Sequence, residues 1–257
     1  MNKGLSTAEI LKLKEDDREA VEKFFEFSSW TDEDYIEYNK LLMSLEQSYG
    51  KCKNNAKDKI DTKSKGNALE DIVNFIIEKS YFLEVYPNKR NATNEIDQLI
   101  VVSCYGEQTL DRYGISRNLL GFKGDFFLGE CKNYYKKVGV TWVGKFNTLL
   151  KICGDCEFGI IFSYLGLTGD ENKWEHAHGL TKVIYINSNT DHKKYILDFN
   201  INDFNNLKNK DVNFFKLIKS KKLALATGCK SESLYKPHNG EKRMKTIYNG
   251  MLMNKTI

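Results

Sequence analysis

The chain has 257 residues, of which 41% are hydrophobic and 29% are charged, and its net charge is +4 at pH 7. This length supports one large hydrophobic core, the composition excludes a disordered chain, and six cysteines fit reduced thiols rather than a disulfide scaffold. The weak positive charge permits nucleic-acid binding without arguing for it, and because no apolar run of about 18 residues and no signal-peptide core occurs, we expect a cytoplasmic protein without a membrane partner.

Two amphipathic helices are predicted in the N-terminal region, over residues 6–27 and from Thr31 to about Tyr49. Each begins with a hydroxyl residue that precedes an acidic one, as in a helix N-cap. We interpret residues 1–62 as a helical layer over a core; a clamp, a dimerisation element and a target-reading module are the alternatives. Residues 51–65 are rich in lysine and are predicted to be an exposed linker that could follow a phosphate backbone.

A third helix is predicted from Gly66 to Glu78, with Glu70 beside its apolar stripe near the N-terminal end. A strand follows from Glu95, in which Asp97 shares one face with Leu99 and Val101. Taken alone, Glu70 is more typical of a first-turn charge that the helix dipole favours than of a ligand.

The segment from Phe126 to Asn133 is predicted to be a buried strand that ends in two charged residues. The period of two places Leu128, Glu130 and Lys132 on one face, so that a carboxylate and an ammonium project side by side. Burying either charge costs several kcal/mol unless it is paired or binds a metal. A structural ion pair and a functional site both satisfy this requirement.

In the order helix, strand, strand, the residues Glu70, Asp97, Glu130 and Lys132 resemble the motif of the PD-(D/E)xK nuclease superfamily, in its Mrr-like and Holliday-junction-resolvase-like branch. The resemblance covers about residues 63–167. It implies an α/β, restriction-endonuclease-like fold with a mixed central sheet flanked by helices, here with an N-terminal helical extension. The helix after the lysine lacks the Gln-x-x-x-Tyr of the RecB-like exonuclease branch, which argues against an end-resecting activity.

The resemblance also implies the chemistry of the site. Asp97, Glu130 and the backbone carbonyl of Cys131 would bind Mg²⁺ or Mn²⁺, as hard oxygen donors do, and Glu70 would hold a metal-bound water or a second ion. Lys132 would orient or deprotonate the attacking water and stabilise the developing charge. Cleavage would leave a 5′-phosphate.

Basic residues near these elements are the predicted DNA contacts. Residues 105–123, between the two catalytic strands, are interpreted as a loop beside the site that carries Arg112 and Arg117; a loop without function is the alternative. Lys136 and Lys137 follow the catalytic strand among aromatic residues, and Lys145 lies on the next predicted helix, Val140 to Ile152.

The remaining chain completes the predicted nuclease domain, residues 63–230. We predict strands from Phe158 to Leu165 and from Val183 to Ile186, a further segment from Tyr195, and helices over residues 201–207 and 213–225, followed by a polar tail over residues 231–257. Cys153 and Cys156, with His176 and His178, do not have the spacing of a zinc module, so structural zinc is disfavoured.

These features predict a Mg²⁺-dependent endonuclease that hydrolyses DNA phosphodiester bonds in restriction or another defence system. One alternative is a structure-specific nuclease that cuts branched rather than linear double-stranded DNA; another is a non-catalytic DNA-binding or assembly module that kept the fold. Because one chain carries one site, a double-strand break requires two events or two copies, as in a homodimer.

Overall fold

The computed structural model describes residues 18–54, 62–90, 95–170, 173 and 175–234. Parts of three sequence predictions lie outside these residues: the start of the first helix at residues 6–17, positions 55–61 of the predicted linker, and the tail from residue 235.

The described chain contains eight helices and five strands in chain order. They are α1 (residues 18–27), α2 (Asp32–Asn54), α3 (Thr62–Glu78), β1 (Leu83–Arg90), β2 (Glu95–Val102), α4 (Cys104–Arg112), β3 (Phe126–Lys132), α5 (Val140–Ile152), β4 (Phe158–Ser163), α6 (His176–Asn187), β5 (Tyr195–Phe199), α7 (Ile201–Asn206) and α8 (Phe214–Thr227). Short 3₁₀ turns cover Arg117–Leu120 and Ser231–Leu234.

One five-stranded sheet organises these elements, with its strands in sequence order from β1 to β5. The first three strands pair antiparallel, whereas β3, β4 and β5 pair parallel. All six residues of β4 are buried, as expected for a parallel strand covered on both faces. The fold is therefore α/β, with a mixed central sheet flanked by helices, as the sequence predicts.

The predicted strand from Val183 to Ile186 is wrong, because these residues lie in α6. Parallel strands such as β4 and β5 need a crossover connection, which α6 provides and another strand could not. The Lys182 side chain fixes the helix by donating to the carbonyls of Leu225 and Ala226 at the end of α8. Tertiary packing thus overrides the β propensity of this run.

Two further elements were not predicted from the sequence. The edge strand β1 contains Pro87. Proline has no backbone N–H to donate, and an edge strand tolerates this because it has a neighbouring strand on one side only. The segment interpreted as a loop over residues 105–123 contains α4, whose N-cap is Ser103: its hydroxyl accepts a hydrogen bond from the Gly106 N–H at 2.9 Å. That cap was a readable signal.

The N-terminal helices pack into the same hydrophobic core as the sheet. The ring of Phe24 in α1 stacks on Phe82 with centroids 5.1 Å apart and contacts Phe215 of α8 at 5.2 Å. From α2, the buried Tyr38 hydroxyl donates to the Phe204 carbonyl at 2.7 Å. The two helices therefore form a layer on the sheet domain. Nowhere in the described ranges is a helix long and apolar enough to span a lipid bilayer.

Candidate active site

The antiparallel pairing of β2 and β3 brings the predicted site residues to one end of the sheet. Gln98 is the partner of Gly129, so the start of β2, where Asp97 lies, meets the end of β3, which carries Glu130 and Lys132. Gln98 is fully buried while Asp97 is only partly so, which matches the predicted alternation along β2.

One ammonium joins the two carboxylates. Lys132 Nζ lies 2.7 Å from Glu130 Oε1 and 3.0 Å from Asp97 Oδ2, and Asp97 Oδ2 also accepts a hydrogen bond from the Cys131 backbone N–H at 3.0 Å. The side chains of Glu130 and Lys132 are each 13% exposed, and that of Asp97 is 20% exposed. The structure therefore brings three of the four predicted catalytic residues into direct contact in a half-closed site.

The charges of this cluster do not balance, because two carboxylates share one ammonium. Burial raises the pKa of Glu130 above its ordinary value of 4.5, and repulsion from Asp97 raises it further, against the opposing effect of Lys132. Burial lowers the pKa of Lys132, but attraction to Glu130 and Asp97 outweighs it, so that pKa lies above its ordinary value. Lys132 is thus held as an ammonium, and the surplus negative charge favours an additional cation.

Glu70 lies outside the three-way contact of Asp97, Glu130 and Lys132. It is partly buried on α3, and its Oε2 accepts a long hydrogen bond, 3.4 Å, from the Asn88 side chain of β1. Burial is the main cause of the strongly raised pKa of the Cys131 thiol, to which Asp97 and then Glu70 add. The charge of Glu70 therefore acts on the Cys131 thiol, which the alternation along β3 places on the face opposite Glu130 and Lys132. Asn88 adopts a left-handed φ of 52°, which asparagine tolerates; its contact with Glu70 had no sequence signal.

The donor set fits a hard divalent cation. Asp97 and Glu130 point their oxygens at one common atom, and Mg²⁺ characteristically uses one or two carboxylates completed by water and substrate oxygens. The common atom here is Lys132 Nζ, so a bound cation would share or take over these carboxylate contacts. Across the residues that the structure describes, no group of three or more His, Cys, Asp or Glu side chains is assembled for a metal.

An aromatic ring with two lysines borders the cluster. The Trp142 ring of α5 has Lys132 Nζ 5.0 Å and Lys145 Nζ 4.7 Å from its centroid, both within cation–π range. Lys145 is therefore beside the site, as predicted. Trp142 was not predicted as a site residue; its position three residues before Lys145 on the same helix was the available signal.

The predicted position of Arg112 and Arg117 beside the site is wrong. They lie between the end of β2 and the start of β3, where the Val102 N–H donates to the Asp125 carbonyl, at the opposite end of both strands from Asp97 and Lys132. The antiparallel pairing causes this, since a connection joins the strand ends remote from the acids. Arg117 is also paired there with Glu107 at 3.1 Å and Asp125 at 2.9 Å.

The structure does not bring together the cysteine and histidine pairs. Cys153 and Cys156 precede β4, and the Cys156 thiol donates a hydrogen bond to the Phe158 carbonyl. His176 and His178 follow β4, in the first turn of α6. The two pairs thus lie at opposite ends of that strand.

Comparisons of the chain with protein-family models, with curated proteins and with solved structures found no match.

Proposed function

We propose that the protein is a Mg²⁺-dependent DNA endonuclease with a restriction-endonuclease-like fold. The observation that supports this most is the contact of Lys132 with both Asp97 and Glu130, at 3.0 and 2.7 Å, at one end of the mixed sheet. This is the arrangement that the PD-(D/E)xK resemblance requires of an Asp on one strand and a Glu-x-Lys on the next.

Asp97 and Glu130 would hold the cation. The resemblance assigns Glu70, on α3, to a metal-bound water or a second ion. A bound divalent cation supplies Lewis-acid polarisation of the phosphate and a more acidic water. Lys132 contributes from the protein side. Because its pKa is raised, it acts as an ammonium that orients the water and stabilises negative charge on the phosphate, in preference to removing a proton.

Exposed lysines next to the site would bind the DNA backbone. Lys136 and Lys137 are exposed directly after β3, and Lys145 is exposed on α5. Lysine acts on phosphate as a point charge and carries no sequence information. These positions would therefore hold DNA at the site, whereas Arg112 and Arg117 lie at the opposite end of both strands.

A non-catalytic DNA-binding module is the second candidate, and one observation favours it. Lys132 partly neutralises the two carboxylates without any metal, as a purely structural ion cluster would. That candidate predicts DNA binding that needs no divalent cation and is never followed by cleavage.

Plasmid cleavage separates these functions. Supercoiled plasmid and branched DNA are incubated with wild type, Lys132→Ala and Lys79→Ala, in Mg²⁺, in Mn²⁺ and in EDTA. Lys79 is the matched control because it pairs with a carboxylate, Asp34, at 2.6 Å in the helical layer. We expect metal-dependent nicking by wild type and Lys79→Ala, and a loss of at least about 100-fold in Lys132→Ala. Faster cleavage of branched DNA would indicate the structure-specific nuclease; DNA binding without cleavage in any metal would contradict the proposal.

A further inference from the structure

The loop after β3 presents aromatic rings to solvent directly beside the carboxylate cluster. The chain leaves the sheet at Lys132 and is fixed again at Val138, which is 1% exposed, bridges Leu167 and donates to the Gly166 carbonyl at 2.9 Å. Between these two anchors lie Tyr134, which is 40% exposed, and Tyr135, which is 68% exposed.

These rings continue an aromatic surface that begins at the site itself. The rings of Tyr134 and Trp142 have centroids 5.9 Å apart, and the Trp142 ring lies 5.0 Å from Lys132 Nζ. Trp142 packs against the core, so it is a fixed base for the surface, whereas Tyr135 projects from the loop. Lys132 Nζ therefore adjoins both the aromatic surface, at Trp142, and the carboxylates of Asp97 and Glu130.

Ammonium groups surround the same rings. Lys145 Nζ lies 4.7 Å from the Trp142 centroid, and Lys136 Nζ lies 5.9 Å from the Tyr135 centroid. The neighbouring Lys137 is exposed as well. Rings and cations therefore alternate over a short distance, and the cations are placed to hold the phosphates of the same chain whose bases meet the rings.

Such a surface distinguishes paired from unpaired nucleotides. In a duplex, the faces of the bases are stacked on one another, so an exposed tyrosine reaches only base edges and backbone. An unpaired nucleotide offers a free face, and stacking on an aromatic ring is worth enough to change affinity several-fold per base.

We propose that Tyr134, Tyr135 and Trp142 form a base-stacking platform that binds unpaired nucleotides of a DNA strand whose phosphate lies at Asp97, Glu130 and Lys132. The preferred substrate is then a single strand, or DNA with a single-stranded flap or gap beside the cleaved bond. This inference rests on the proposed nuclease function and names its substrate class.

The test is a binding measurement in EDTA, so that it does not depend on cleavage. Fluorescence anisotropy compares labelled oligothymidylate with the same strand annealed to oligodeoxyadenylate, for wild type, Tyr135→Ala, Tyr135→Phe and Tyr105→Ala. Tyr105 is the matched control: it is 77% exposed but lies on α4, at the end of β2 remote from Asp97.

We expect wild type to bind the single strand more tightly than the duplex. Tyr135→Ala should weaken single-strand binding by about 5-fold to 100-fold with an unchanged dependence on salt, since stacking is lost and no phosphate contact is removed. Tyr135→Phe, which keeps the ring, and Tyr105→Ala should bind like wild type. Equal affinity for single strand and duplex, or no effect of Tyr135→Ala, would overturn the platform.

Cleavage assays on the same variants keep this result separate from the proposed function. If wild type cleaves duplex plasmid and Tyr135→Ala cleaves it equally well, without any preference for unpaired DNA, the nuclease stands and the platform falls. If single-strand binding depends on Tyr135 while no metal supports cleavage, the base-stacking platform is supported and the nuclease function is contradicted.

Discussion

At the residue scale, the site combines residues that the sequence reveals with others that only the fold supplies. The period of two along β3 places Glu130 and Lys132 on one face, so their contact was predictable. The contact of Lys132 with Asp97 across 35 positions was expected only through the resemblance, since periodicity says nothing about which strands pair. The neighbours Asn88 and Trp142 come from β1 and α5, and their places depend on packing.

The imbalance of charge around Lys132 leads to a prediction for Glu130→Gln. Because the pKa of Glu130 is raised in the folded state, ionised Glu130 destabilises the fold relative to its neutral form. Protonated Glu130 therefore stabilises the folded state at pH values below 4.5, its ordinary pKa. This stabilisation is lost as the pH rises through the raised pKa of the folded state. A neutral glutamine avoids this loss, so the melting temperature of the variant minus that of wild type should grow as pH rises from 4 to 8.

Thermal unfolding followed by circular dichroism across that pH range measures the difference. Glu84→Gln, which changes an exposed carboxylate of β1, is the control and should show no such trend. A difference in melting temperature that stays constant or decreases with increasing pH would show that ionised Glu130 does not destabilise the folded state. Under the proposed function, the same Glu130→Gln protein should lack cleavage, because the variant removes a carboxylate that would bind the cation.

At the scale of elements, the sequence predicted the bounds of one helix, α5, but gave the wrong element type where the sheet topology requires a helix. The resemblance predicted a helix over roughly Val140 to Ile152, and α5 spans Val140–Ile152 with Val143, Phe146 and Leu150 buried. Val183 to Ile186 reads as a strand on propensity alone, but the parallel pair β4 and β5 demands a crossover helix there.

A buried ion pair holds the C-terminal helices together and is open to a direct test. Asp203 forms a capping box with Asn200 at the start of α7, and its Oδ2 lies 2.9 Å from Lys221 Nζ of α8, with both side chains less than 10% exposed. Asp203→Ala should cost about 3–5 kcal/mol, because it removes the carboxylate that pairs with the buried Lys221 ammonium and accepts from the Asn200 N–H.

Urea denaturation of Asp203→Ala, Lys221→Met and the double variant measures this coupling. The double variant should be more stable than Asp203→Ala alone, since it removes the buried ammonium together with the carboxylate that pairs with it. Glu22→Ala breaks an exposed pair with Arg18 and should cost less than about 1 kcal/mol. Additive losses in the double variant would show that the two residues do not act as a pair.

At the scale of the whole molecule, the α/β architecture was predictable, but the contacts between the N-terminal helices and the rest of the core were not. The resemblance implied the mixed sheet, although β1, α4 and α6 were not predicted from the sequence. The sequence also offers no signal that Phe24 reaches Phe82 and Phe215, or that Tyr38 reaches Phe204. Such contacts join positions far apart in the chain and follow from the finished fold. The helical layer is consequently part of the core that supports the strands of the site.

The central claim is that the two carboxylates sharing Lys132 form a divalent-cation site, and Mn²⁺ binding tests it most directly. Free Mn²⁺ is followed by electron paramagnetic resonance in titrations of wild type, Asp97→Asn and Asp34→Asn at pH 7.5. Asp34 is the matched control, because it also pairs closely with a lysine, Lys79. We predict that Asp97→Asn weakens Mn²⁺ binding about tenfold or more while Asp34→Asn binds like wild type. Equal binding by all three proteins would contradict the claim and leave the cluster as an ion pair of the fold.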